Sequence, residues 1–238
     1  YDRATPVQLG ALNATSTSVQ SALRTDLGVA TNAAASQLLH YARGYEVGTT
    51  AAPAASYTAA ARSWWHGAVL HSRPIAINYG ARSGYSSSNP DIRIVYGSAD
   101  GYLRMLTNTE TSGAESGRES WAFMPRSVMN QQKVLMDEDN GGAFPYGVDG
   151  PVVAYVQDFG SSGGVADNVI NSGNPDDAAW LFFGLRRSGA FYYGINATDP
   201  DNPSLMWRIG STDVSYTEMG LSFSEPVDRR LTLDELRL

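Results

Sequence analysis

Apolar residues along this chain recur at period two in several short runs, and the polar residues gather between them. Ile92, Ile94 and Tyr96 alternate with Arg93 and Val95, which is the spacing of a half-buried strand. Asp100-Gly101 is a tight hairpin signal, and Leu103, Met105 and Thr107 continue on its far side. Residues 108–118 read as a polar loop, after which Trp121-Ala-Phe starts a third strand. The order returns later. Trp180–Asn196 reads as a second hairpin turning at Ser188-Gly189, and Trp207-Arg-Ile opens its closing strand. Gly184 lies 87 residues beyond Gly97, and Trp207 lies 86 beyond Trp121.

Recurrence at a fixed period means one supersecondary unit used more than once. A unit of apolar strand, Gly turn, apolar strand and Trp-led strand is the blade of a β-propeller. The expected fold class is therefore all-β, a β-propeller preceded by a short helical N-terminal segment. A spacing of about 86 predicts two blades of about 43 residues, with a middle blade between Trp121 and Trp180. Residues 63–227 hold about four such units, so the propeller is incomplete or has segments missing. A strand pair at Val69-Leu70 and Ile75–Tyr79 opens the β region, Val148–Val156 holds another strand, and Ser222-Phe-Ser-Glu-Pro226 begins a further blade. Phe159–Asp177 is a long Gly/Asn/Asp loop of the kind that carries function or moves.

Residues 1–62 differ, being rich in Ala, Ser and Thr. Asn32 is placed to cap a helix over 33–42 that ends at Gly44, and 49–61 is a small-residue linker with Pro53. The chain divides into 1–62 and a propeller region 63–238. After Val227 the strand pattern switches to a charged, helix-like one, which suggests a break near 227–230. The start at Tyr1 reads as a processed or excised piece of something longer.

The formal net charge of −7 argues against nucleic acid and against an anionic membrane surface. With no cysteine, disulfides, thiolate catalysis and Cys-ligated metals are excluded. No run of about 18 apolar residues exists to span a bilayer.

His66, His71 and Ser72 cluster in sequence, but Ser72 sits in no Gly-x-Ser-x-Gly elbow, so His71 and Arg73 read as braces at a strand entry. Asp100 reads as a turn-holding acceptor, and Trp121 and Trp207 as rings buried between blades. Arg186-Arg187 is either a recognition patch or a clamp on neighbouring carboxylates. Of Phe191, Tyr192 and Tyr193, at least one reaches the surface.

Hard oxygen ligands in an Asp/Asn/Gly loop suit calcium. Asp137-Glu-Asp139-Asn140-Gly141 lacks a third alternate ligand. Asp158-Phe-Gly-Ser-Ser162-Gly163 keeps its first ligand and the Gly, and Asp167, Asn168, Asp176 and Asp177 stand ready to complete a site. The calcium candidates are Asp158, Ser162 and Asp167. No catalytic or other cofactor-binding residue is assigned.

Leu70-His71-Ser72-Arg73-Pro74, Gly97-Ser-Ala-Asp-Gly101, Trp121-Ala-Phe-Met-Pro125, Tyr146-Gly-Val-Asp-Gly-Pro151, and Phe183-Gly-Leu-Arg-Arg-Ser-Gly189 through Ala197-Thr-Asp-Pro200 occur in one order. Together they resemble the C-terminal β-propeller domain of the PilY/PilC family of type IV pilus tip adhesins. The resemblance covers roughly 63–227. It implies a non-catalytic bacterial surface protein, exported to the pilus tip, that caps minor pilins, promotes pilus biogenesis and twitching motility, and mediates attachment to host or abiotic surfaces. Family members often carry a D-x-[DN]-x-D-G calcium loop, from which this chain departs. A different reading is a quinoprotein dehydrogenase, whose propeller repeats resemble Ala99-Asp-Gly-Tyr-Leu…Gly117-Arg-Glu-Ser-Trp121, but only one good copy of that repeat is present.

Overall fold

The computed structural model describes residues 7–8, 16–47, 61–137, 144–160 and 166–226. Two antiparallel meanders dominate it. The first sheet has the order β2-β3-β4-β5, from Ile75–Asn78, Ile92–Gly97, Leu103–Thr107 and Glu119–Phe123. The second runs β6-β7-β8-β9, from Val152–Gln157, Ala178–Gly184, Phe191–Asn196 and Ser204–Gly210, and a two-residue β1 (Val7–Gln8) adds to its β9 edge.

The sequence repeat is a repeat of register. Val95 pairs with Met105 and Met105 with Trp121 across the first sheet; Phe182 pairs with Gly194 and Gly194 with Trp207 across the second. Each sheet then slips by one residue at the same place, between Met105 and Leu106 and between Gly194 and Ile195. A shared bulge is a built feature of a strand pair rather than a defect. The unit is thus four strands in about 86 residues, connection included. Among the described residues no middle blade lies between Trp121 and Trp180: they form there a short 3-10 turn, helix α3 (Gln131–Asp137) and β6, the first strand of the second sheet.

Three further expectations are corrected. Residues 69–74 are irregular, because the backbone there turns so that Ala68 O accepts from Ala99 N. The expected helix is α2 (Asn32–Ala42), but its cap is Thr31, whose hydroxyl accepts from Ala34 N. Gly44 follows in the left-handed region at φ 89°, where a glycine costs least. A helix that the pattern did not announce, α1 (Thr17–Leu27), is capped by Ser16 and ends at Gly28 in an αL conformation. Its sequence carries few apolar residues, so the period was faint. Residues 222–226 form no strand. The acidic stretch 138–142 and the suspected break at 227–230 lie outside the described residues.

One hydrophobic cluster joins these elements. Leu27, Leu38 and Leu39 of the helices share it with Val95, Leu103 and Met105 of the first sheet and Leu181, Phe183 and Ile195 of the second. Phe123 meets both Phe183 and Tyr193 edge-on across the sheet–sheet boundary. No helix among the described residues is long and apolar enough to cross a membrane.

Candidate functional site

The proposed calcium loop begins where β6 ends. Asp158 Oδ1 accepts from Gly160 N at 2.8 Å and Oδ2 from Asn168 N at 2.6 Å. Asp167 Oδ1 accepts from Val169 N at 3.0 Å. Buried Asp177 takes the amides of Phe159 and Asn171 and the side chain of Asn174. These carboxylates staple a strandless loop by replacing the ladder bonds its backbone lacks. Ser162 lies outside the described residues, and among those described no group of three or more acids and histidines is placed to hold a metal. The described part of the loop is therefore not a calcium cage on its own. Asp137 pairs with Lys133 on α3, and Asp139 and Asn140 are not described.

A second polar cluster sits where the second sheet begins. Asp149, whose side chain is 1% exposed, places Oδ1 at 2.8 Å from His71 Nδ1. Its other oxygen faces Arg186 Nε at 3.8 Å and Arg187 Nη1 at 3.7 Å. Two guanidinium groups and an imidazole around one buried carboxylate explain why an acid is tolerated there. The paired arginines are clamps on a carboxylate, one of the two roles their sequence offered. Arg186 holds φ at 50°, a strained conformation for a residue with a side chain. Arg187 lies over the Tyr146 ring and Arg186 over Phe223. Neighbouring Ser72 is occupied elsewhere: its hydroxyl accepts from Gly97 N at 2.8 Å. Nucleophilic catalysis needs a hydroxyl on the free imidazole nitrogen, and among the described residues His71 hydrogen-bonds only to Asp149.

The third cluster bridges the two sheets. Arg93 on β3 donates to both oxygens of fully buried Asp91, to Ser120, and to Asp201 Oδ1 at 3.4 Å. Arg82 donates to Asp91 Oδ2 at 3.2 Å and to Asp201 Oδ2 at 2.8 Å. Asp201 belongs to the β8–β9 turn, so both arginines tie the first sheet to the second. Burial pulls the Arg93 guanidinium down, but its bonds to Asp91 outweigh that and hold it above its ordinary value. In the same place Trp121 Nε1 donates to Pro200 O at 3.0 Å, so this indole does wedge between sheets.

At the far end of the first sheet Asp100 accepts from Ser98 Oγ and Arg104, and Arg104 also donates to Glu119. This is more than a turn-holding acceptor: Asp100 also neutralises a buried arginine on the next strand. His66 Nε2 stands 2.7 Å from Tyr96 OH, and Arg104 lies over the exposed Trp65.

What remains is apolar surface. The second sheet turns one face away from the first, and half-buried aromatic rings line it. Tyr155 stacks on Trp180 at 5.0 Å, and Phe182 on Trp207 at 5.6 Å. Among the described residues no strand lies over it. The connection that follows exposes Val214, Tyr216, Leu221 and Phe223. Large exposed apolar patches mark interaction sites. Of the three aromatics at 191–193, Phe191 and Tyr192 are partly exposed and Tyr193 is buried, its hydroxyl 2.9 Å from Ser127 Oγ.

No family model matches this chain, and no solved structure matches it. Over 143 residues it is 31% identical to the type IV pilus biogenesis factor PilY1 of Pseudomonas aeruginosa, in strain PAO1 and equally in strain PAK. The shared stretch covers 58% of this chain and 10% of those proteins, so the chain spans about a tenth of the length of the curated relatives it matches.

Proposed function

We propose that this chain is a non-catalytic part of a type IV pilus machine: a β-propeller region of a tip adhesin and assembly factor. The observation that carries the proposal is the 31% identity over 143 residues to a type IV pilus biogenesis factor. Two register-matched antiparallel sheets support the propeller, since radial repetition of four-stranded sheets is how that fold is built. The buried charges support a binding role. Asp91, Asp149 and Asp100 are each spent on neighbouring arginines that fasten one segment to another. In this proposal the protein sits at the bacterial cell surface on a complex of minor pilins and contacts host or abiotic surfaces. Calcium belongs to it only as a ligand of Asp158, Ser162 and Asp167. A melting temperature that rises on calcium addition would place the ion there, and an unchanged one would remove it.

The test is deletion of the coding stretch in the source bacterium. The proposal expects loss of surface pili by electron microscopy, loss of twitching, and loss of attachment. Normal piliation, twitching and attachment would overturn it. Capture of minor pilins by the purified chain separates this role from that of a scaffold in another secretion machine.

A further inference from the structure

The buried and half-buried arginines of this protein differ in how they spend their donors. Arg82, Arg93 and Arg104 each donate to two carboxylates or to both oxygens of one. Arg186 and Arg187 also face a carboxylate, but they stand 3.8 and 3.7 Å from Asp149 Oδ2, beyond hydrogen-bond reach. Among the described residues neither guanidinium donates a hydrogen bond to the protein. The clamp on Asp149 uses their charge and leaves their N–H groups unspent.

Unpaired polar atoms gather at the same turn. Asp149 Oδ2, Arg186 Nε and Ser188 Oγ are all buried without a hydrogen-bond partner. Buried polar groups are normally paired, so the fold has not used this place to satisfy itself.

The backbone beneath is nonetheless fixed. Arg186 holds φ at 50°, which persists only where the surroundings impose it. Buried Ser222 imposes it: its Oγ accepts from Leu185 N at 2.9 Å and from Arg186 N at 3.2 Å, and donates to Gly189 O at 3.0 Å. Aromatic rings hold the planes above. Arg187 lies over Tyr146 at 5.0 Å, and Arg186 over Phe223 at 5.4 Å. A guanidinium stacked by its face keeps its N–H fork free at its edge. Both edges are within reach of solvent, since the Arg187 and Arg186 side chains are 40% and 23% exposed.

We propose that Arg186 and Arg187 form a recognition site for the carboxylates of an acidic segment of a partner protein. A planar fork of donors matches a carboxylate bidentately. Asp149 offsets one of the two guanidinium charges, and Arg73 nearby is already matched by Glu225. The turn is therefore a positive spot on a chain of net charge −7, which selects an acidic segment locally while the rest of the surface repels it. The rim distinguishes a peptide from a free oxyanion. Leu221, Phe223 and Phe144 are exposed beside the two arginines, Phe144 packing edge-on against Tyr146. Apolar contacts serve the side chains that flank an acid in a peptide and do nothing for inorganic phosphate. This inference goes beyond the pilus reading and does not rest on it.

The test measures binding of the 238-residue protein to an immobilised library of short peptides in which Glu or Asp alternates at random with Leu, Phe or Gly. A matched library carries Gln and Asn in place of the acids. Saturable binding to the acidic library alone is expected. Arg187→Gln and Arg187→Lys each weaken it by about tenfold or more, the second because an ammonium keeps the charge and loses the fork. Arg118→Gln, at an exposed arginine ahead of β5, leaves it unchanged. A second measurement needs no variant: on titration with the tightest acidic peptide, the Nε–H NMR signals of Arg186 and Arg187 shift and that of Arg118 does not. No binding to the acidic library, equal binding to the amide library, Arg187→Lys binding like the parent, or unmoved Arg186 and Arg187 signals each overturn the proposal. Inorganic phosphate bound as tightly as the acidic peptides overturns it too, since the site would then serve a free oxyanion. Pili enter none of these readouts, so the functional proposal stands or falls separately.

Discussion

Two sheets of one design stand in unlike surroundings in this protein. They share strand order, register, bulge and the glycine at which the next segment crosses. In the first, the Trp-bearing face is closed by a neighbouring sheet, a buried guanidinium network and an indole bond. In the second, no strand among the described residues lies over it. The difference teaches that burial is concentrated at the boundary between the two sheets. A four-stranded sheet has two faces, and the Trp-bearing face of the first sheet packs against the Leu/Phe/Ile face of the second. Hydrophobic burial therefore accrues at boundaries between units, as in other repeat folds.

That comparison can be broken at the inner boundary first. Phe183→Ala removes a fully buried ring between the sheets and is expected to cost about 3–5 kcal/mol in urea denaturation. Phe182→Ala, one residue away on the other face, is expected to cost about 1 kcal/mol. Equal costs would mean the two faces are not differently packed. Arg93→Ala comes next. It strands fully buried Asp91, at about 3 kcal/mol, near the low end for breaking a buried pair because Arg82 stays within 3.2 Å. The double variant with Asp91→Ala is expected to cost less than the two singles added, as a double-mutant cycle would show.

Gly97→Ala is smaller, about 2 kcal/mol, since its Cβ would strike the Val148 carbonyl. Gly184→Ala is expected to cost about half as much, because buried Ser222 is flanked by the exposed Leu221 and Phe223 and its segment can yield where the one at Val148 cannot. The smallest effect depends on pH. Burial pushes the Tyr79 and Tyr102 hydroxyls well above their ordinary value of 10.0, and Tyr79 donates to Ala197 O across the sheet boundary at 2.6 Å. A raised folded-state pKa contributes stability that is fully present below pH 10 and lost as pH rises through the folded value. Tyr79→Phe is expected to cost about 1 kcal/mol at neutral pH. Its alkaline loss of stability should be shallower than that of the parent. Parallel pH profiles would contradict the assignment.

Much of this was legible in the residues, and the rest was hidden for identifiable reasons. The hairpins around Gly101 and Ser188-Gly189 were plain because alternating apolar positions and turn residues agree there. The Gly97/Gly184 and Trp121/Trp207 offsets were read correctly as a repeat, but the period was divided by two. Helix α3 and the long loop before β7 occupy the space assigned to another blade, and their lengths mimic one. The strand drawn at Val69-Leu70 failed because two apolar residues do not specify pairing; the chain there spends its bonds on the Ala99 turn. The sequence offered Arg186-Arg187 as a clamp without naming the acid, since Asp149 lies far off in the chain and only the fold brings it alongside. Likewise nothing in the order of residues joins Arg93 to Asp201. Trp121 was correctly placed between sheets, whereas Trp207, its equal in sequence, stacks on Phe182 of its own sheet.

The most direct measurement is an experimental density map of this protein. The account predicts two four-stranded antiparallel sheets packed about 10 Å apart, with the indole Nε1 of Trp121 donating to Pro200 O across their boundary. Solvent or a helical layer between Trp121 and the second sheet would contradict it.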